Sequence, residues 1–391
     1  MDAVPRDART VPRPAPAIPV PARRRDDRVD FFRGLSLIFI FIDHVPENLL
    51  ANFTLNAFSF SDAASVFVFI AGYAAAYAYG GMAERRGMVF ASARIWRRAW
   101  QLYIAHIVLF VLLTAQVSYV VRTFDNPMYF DELGVGVFIE QPHVLIVEAL
   151  ALRYQPRFLD ILPLYIVLLL GFPLALWAVR RHWLMALLPS LALYLFVQVT
   201  KFNFRTFPDE SVWTFNPLAW QLLIVSGVVC GHLTREGRLR LPRGRWVLPF
   251  LAAFTAVTVA IRFSWTLHGL WEPIPGLFMR TVMPMVGKTD LAPLRVVQFL
   301  LLVWLVAITV RPDARWLRSR PARPVLLCGK HSLEIFCLGI LLSVLGHLFL
   351  VEYGSDIGTQ FAVNFGGLIL MAATAYLLEW YSSGDRDMRR T

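Results

Sequence analysis

The chain has 391 residues, 57% of them hydrophobic and 17% charged, with a formal charge of +11. The apolar residues form long runs, which excludes an ordinary soluble domain, because stretches of about 18 or more satisfy their own backbone only as helices across a bilayer. A charge this positive would suggest a nucleic-acid partner in a soluble protein, but here the basic residues cluster between the apolar runs, so they act as topology signals and no nucleic-acid partner is expected.

Taken in order, residues 1–28 hold many Pro and Arg and no apolar run, which predicts a disordered cytoplasmic tail and no signal peptide. Hydrophobic runs follow near 32–50, 62–80, 101–121, 159–179, 183–200, 215–234, 246–265, 296–310, 330–350 and 360–380. Together they predict one membrane domain over 29–383, followed by a short cytoplasmic tail over 384–391. The short loops 81–100, 180–182, 235–245 and 311–324, with both termini, carry most of the basic residues. Because short basic loops stay on the cytoplasmic side, the alternation predicts an all-α polytopic membrane helix bundle. It would have about ten transmembrane helices, both termini cytoplasmic, and would be a multi-pass protein of the bacterial inner (cytoplasmic) membrane surrounded by its lipid bilayer.

The far-side segments 122–158, 201–214 and 266–295 contain Asp131, Glu132, Glu140, Trp213, His268, Trp271, Glu272 and Arg280. Within the first of them, His143 to Tyr154 reads as a short interfacial helix. Cys230, Cys328 and Cys337 have no paired spacing, so they read as small packing residues, and no metal is expected. No internal repeat of the transporter kind is visible.

Ionisable groups inside apolar runs are costly, so each is a candidate for function. The first run carries Arg33, Asp43 and His44. On a helix, His44 lies about 16 Å further along than Arg33 and close to the same azimuth, so both would face one seam. Leading into the third run, Arg94 and Arg97 are three apart and share a face that can grip a phosphate or simply anchor the helix, whereas Arg98 is an ordinary anchor. Asp62 stands where a carboxylate caps the second membrane helix. Lys330, His331 and Glu334 form a further polar cluster in which His331 and Glu334 could pair, and His106 and His347 are buried candidates with structural roles expected.

Arg33 followed after ten residues by His44, and then Arg94-x-x-Arg97, resemble the two signatures of the acyltransferase type three membrane acyltransferases. The local wording resembles one branch more closely. Arg28-Val-Asp-Phe-Phe-Arg-Gly-Leu, Ile42-Asp-His-Val-Pro, Phe60-Ser-Asp-Ala-Ala-Ser-Val-Phe-Val-Phe-Ile-Ala-Gly-Tyr and Gly329-Lys-His-Ser-Leu-Glu-Ile-Phe-Cys are similar to the OpgC family, which succinylates osmoregulated periplasmic glucans. The resemblance implies a transfer from acyl-CoA in the cytoplasm, with succinyl-CoA as the expected donor and no metal, to hydroxyls of a periplasmic glucan. It makes His44 the expected catalyst, as general base or as acyl carrier, with Asp43 or Asp62 orienting it. Arg33, Arg94 and Arg97 would bind the donor's phosphates, and Lys288, Arg280 or Arg205 would receive a succinyl carboxylate. A different extracytoplasmic polysaccharide or a lipid-linked sugar is the alternative acceptor, and a non-enzymatic transporter is the alternative class. A homo-oligomer is compatible with the sequence.

Overall fold

The computed structural model describes residues 26–45, 47–126, 128–129, 135–136, 141–208, 211–266 and 282–388. Asp131, Glu132, Glu140, His268, Trp271, Glu272 and Arg280, and almost all of the expected N-terminal tail, lie outside the described residues. Among the described residues the chain is helical, apart from one isolated antiparallel bridge between Arg205 and Val212.

The helices are α1 (Asp27–Asp43), α2 (Leu55–Phe58), α3 (Ala63–Arg86), α4 (Met88–Phe124), α5 (Pro142–Leu150), α6 (Ile161–Arg181) and α7 (Trp183–Thr200). They continue with α8 (Pro217–Arg235), α9 (Val247–Thr266), α10 (Pro293–Thr309), α11 (Ala322–Lys330), α12 (Ser332–Tyr353) and α13 (Ile357–Met388). Each of the ten apolar runs falls on one long helix, and α5 occupies most of the segment expected as a short helix. Seven helices, α3, α4, α6, α7, α8, α12 and α13, are long and apolar enough to cross a membrane. The helix α9 and the 17-residue α10 are apolar but shorter by the same measure.

Local chemistry explains the boundaries. Asp26, Asp62 and Asn216 accept backbone N–H bonds at the starts of α1, α3 and α8, and Pro142, Pro217 and Pro293 occupy first-turn positions where no amide is missed. Arg85 and Arg86 end α3, and Arg180 and Arg181 end α6, where cations meet the negative end of the helix dipole.

The first apolar run departs from expectation. The helix stops at Asp43 and does not continue to residue 50, so His44 is the residue that closes α1. Pro46 cannot continue a helical ladder, and the residue before a proline is pushed out of the helical region. The chain then turns through a 3₁₀ segment, Leu49–Phe53. Asn48 fastens this turn to α13 by exchanging hydrogen bonds with Asn364 at 2.8 and 2.9 Å, and Gln360 accepts the Leu49 N–H at 2.9 Å.

The closest packing is between α3 and α8, between α1 and α11, and between α4 and α6. At the α1–α11 crossing the backbones touch. A Cβ on Gly34 would lie 1.8 Å from the Val325 carbonyl oxygen, and one on Gly329 would lie 1.7 Å from that of Asp30. Neither position can hold a side chain unless the helices part, and both glycines belong to the motifs that carry the family resemblance. Gly72 and Gly227 permit a similar approach of α3 and α8.

Candidate active site

His44 sits half-buried at the end of α1. Its Nδ1 lies 2.5 Å from the Ile40 carbonyl oxygen. A carbonyl only accepts, so Nδ1 carries the hydrogen, and in the neutral ring Nε2 is the basic nitrogen. The imidazole packs edge-on against Phe158, with ring centroids 4.8 Å apart. The charges acting on it are those of Asp160, Lys288 and Asp62. Phe158 and Asp160 precede α6, and nothing in their sequence pattern signals the contact; only the tertiary fold brings them to His44.

Neither neighbouring carboxylate hydrogen-bonds the imidazole. Asp43 accepts from Thr54 Oγ1 at 2.6 Å. Asp62 is 8% exposed and performs the expected capping, accepting from the Ser65 amide at 3.1 Å and the Ser65 hydroxyl at 3.0 Å. It also pairs with Lys288 at 3.2 Å and with the buried Arg295 at 3.5 Å. Beside it, the hydroxyls of Ser59 and Ser61 donate to Gln298 Oε1 at 2.8 and 2.9 Å, tying the entry of α3 to α10.

The segment bearing Lys288 is held from several sides. Trp220 Nε1 donates to the Lys288 carbonyl at 3.1 Å, Gln198 to that of Asp290 at 2.6 Å, and Tyr194 to that of Leu291 at 2.9 Å. The Asn216 side chain donates to Asp290 Oδ1 at 3.1 Å. The Lys288 ammonium lies 4.5 Å from the Phe215 ring centroid, and its side chain keeps 40% exposure. Burial pulls its pKa down, but the carboxylates of Asp62 and Asp160 outweigh burial and leave it above the ordinary lysine value. Of the other cations considered for an acyl carboxylate, Arg205 is exposed in the loop between α7 and α8.

At the other end of α1, Arg33 lines a cavity of about 240 Å³. Ala71, Ala74, Ala75 and Ala78 of α3 leave the space, and Tyr165 and Leu169 of α6 face it. From Phe67 to Tyr79 its α3 wall runs about 18 Å at the helical rise. Arg98, not Arg94 or Arg97, shares this cavity with Arg33. Arg98 lies three residues after the buried Ile95 and four before the cavity-lining Leu102, so it falls on the inward stripe of α4. Arg94, four residues before Arg98, acts with it on Tyr79, whereas Arg97 is exposed on another side of the helix. Phe67 meets Tyr165 edge-on at 5.3 Å and stacks with Phe336 at 6.5 Å, closing the inner end. Ile161, also in the wall, directly follows the Phe158 to Asp160 turn against His44. The cavity takes in Arg33 but not His44, so the one seam expected to hold both is not a single space among the described residues.

Of the remaining candidates, Lys330 and His331 have partners on α13, whereas both ring nitrogens of the buried His106 have no hydrogen-bond partner among the described residues. Lys330 and His331 both pair with Glu379 of α13 at 3.2 Å, so His331 has its partner there and Glu334 is exposed. His106 is 1% exposed, one turn beyond Leu102 on α4. His347 is buried on α12.

A model of the family described as OpgC protein matches residues 25–383, nearly the whole chain. The chain belongs to the OpgC family. No curated protein and no solved structure matches it. The OpgC assignment agrees with a transferase embedded in a membrane, and the motifs that led to it contribute Arg33, Gly34, His44, Asp62 and Gly329 to the positions just described.

Proposed function

We propose that this OpgC-family chain is an O-acyltransferase of the bacterial inner membrane that moves a succinyl group from cytoplasmic succinyl-CoA to hydroxyls of a periplasmic glucan. In this reading all ten long helices cross the bilayer with both termini in the cytoplasm, the orientation that the distribution of basic loops supports. This puts Arg33 and Arg98 on the donor side and His44 toward the acceptor. The observation that carries the reading is the course of α1, with a cation-mouthed cavity at one end and, at the other, an imidazole whose Nε2 is the basic nitrogen.

The cavity has room for a narrow arm but not for a nucleotide. The pantetheine arm of the donor therefore enters between α1, α3 and α6 and passes the ring contacts of Phe67, Tyr165 and Phe336 to bring its thioester to His44, while its phosphates meet Arg33, Arg98 and Arg94. His44 Nε2 accepts the proton of the sugar hydroxyl as that oxygen attacks the thioester carbonyl. The new C–O ester bond forms, the C–S bond breaks, and the imidazolium returns the proton to the departing thiolate. The Nδ1–H bond to Ile40 keeps the ring oriented and supports its charge. Lys288, partly exposed beside this end of α1, receives the terminal carboxylate of the succinyl group.

The test is His44→Ala in the full chain in membranes, with glycans read by mass spectrometry. Acylation should fall at least a thousandfold with expression and membrane insertion unchanged. An active variant would overturn the assignment. Labelled succinyl-CoA supplied without glucan should leave no label on the protein; label on His44 would replace direct transfer by an acyl-imidazole route.

A further inference from the structure

A second and larger cavity, about 1230 Å³, lies on another side of α1, between α1, α3, α8 and α10. It exceeds the roughly 300–1,000 Å³ usual for small-molecule sites. Phe32 and Phe39 of α1, Phe69 of α3 and Val303 and Ala307 of α10 face it, so its walls are apolar. None of its lining residues belongs to the Arg33 cavity.

Its dimensions and charge are informative together. Along α1 the wall runs from Val29 to Phe39, about 15 Å, and along α10 from Phe299 to Ile308, about 13.5 Å at the helical rise. Each is close to half of a hydrocarbon core of about 30 Å, the depth of one leaflet. The apolar wall ends at one rim only in a cluster of arginines, Arg28, Arg240, Arg243 and Arg311, against Asp26 and Asp313. Arg28 is engaged by Asp26 at 2.8 Å and by the Val310 carbonyl at 3.0 Å, and Arg311 pairs with Asp313 at 3.3 Å. Arg240 and Arg243 are exposed and have no partner among the described residues. An apolar slot one leaflet deep under a net-cationic rim is complementary to one ligand chemistry, acyl chains beneath an anionic phosphate headgroup.

We propose that this groove is a specific site for an anionic phospholipid, its chains against α1 and α10 and its phosphate on Arg240, Arg243 and Arg311. The lipid belongs to the leaflet that meets the loop after α8, and calling that leaflet cytoplasmic rests on the orientation proposed above.

The test uses the full chain purified in mild detergent and native mass spectrometry with added phosphatidylglycerol or phosphatidylcholine. Phosphatidylglycerol should be retained at one per chain and phosphatidylcholine should not. Arg240→Gln, Arg243→Gln and Arg311→Gln together should weaken retention at least about tenfold, as expected for removing several surface cations. Ala307→Trp, which fills the groove and leaves the rim intact, should also release the lipid. His44→Ala should retain it, so loss of the acyl-transfer reading would not touch this result. Equal retention of both lipids, or retention unchanged in both groove variants, would reduce the lipid to annular contact and overturn the site. Displacement of the lipid by succinyl-CoA would assign the groove to the donor and overturn it equally.

Discussion

The two ends of α1 are built differently. Around His44 nearly every polar group is held by protein: Asp62 by Ser65, Lys288 and Arg295, Asp43 by Thr54, and the Lys288 segment by Trp220, Gln198, Tyr194 and Asn216. At the Arg33 end, Arg94 and Arg97 are exposed, Arg98 donates to Gln101 at 3.2 Å, and Arg33 stands 3.6 Å from Asp30. Groups that stabilise a transition state gain from being fixed beforehand. Groups that admit and release a charged cargo gain from being able to exchange partners. The contrast is what a chemical end and a loading end require, and it can be broken from either side.

The largest effect is expected at the fixed end. Asp62→Asn removes the counter-charge of the buried Arg295 and of Lys288, and should cost about 3 kcal/mol in unfolding of the purified protein, with activity lost as well. An equally stable Asp62→Asn protein would show that the network is not what holds this end. Next, Lys288→Met should lower the preference for succinyl-CoA over acetyl-CoA by about tenfold or more, the worth of a hydrogen bond between charged groups. An unchanged ratio would remove Lys288 from acyl recognition.

At the loading end, Arg98→Gln should raise the KM for succinyl-CoA several-fold with kcat little changed, while Arg97→Gln, on an exposed side chain, should move it by less than about twofold. The reverse ranking would return donor binding to the Arg94 and Arg97 pair. The smallest expected effect is on pH dependence. Because the folded Lys288 has a raised pKa, its contribution is fully present below the unfolded value of about 10.4 and is lost as pH rises through the folded value. The melting temperature of the wild type should therefore fall more steeply above about pH 10.4 than that of Lys288→Met. Parallel curves would exclude that contribution.

The helices were legible because a membrane chain must advertise them: each apolar run is long enough to need its own ladder, and all ten fall on helices. The ends were less legible. The first run, drawn to residue 50 because Leu49 and Leu50 are apolar again, crosses Asp43, His44, Pro46, Glu47 and Asn48, and the helix stops at the first of these. Spacing placed Arg33 and His44 on one helix but could not reveal Phe67, Tyr165 and Phe336 closing the space between them, since those side chains come from three other helices. Similarly, Arg94 and Arg97 stand out as a pair in the sequence, whereas the inward side of α4 is set by its contact with α3, α6 and α12, and that contact selects Arg98. His331 shows the same limit, its partner Glu379 being 48 residues away.

The touching backbones at Gly34 and Gly329 limit how the molecule can work. A crossing with no side chains has no ridges to ratchet over, and it seats one helix in the other like an axle in a bearing. The helix α1 can rock about that point, but sliding along its own axis would drive Asp30 or Ile38, one turn to either side of Gly34 on the same face, into α11. A piston stroke that carries a bound group across the bilayer is therefore closed to α1. In the proposed reaction, the donor's acyl arm travels while the helix that bears both Arg33 and His44 stays where it is.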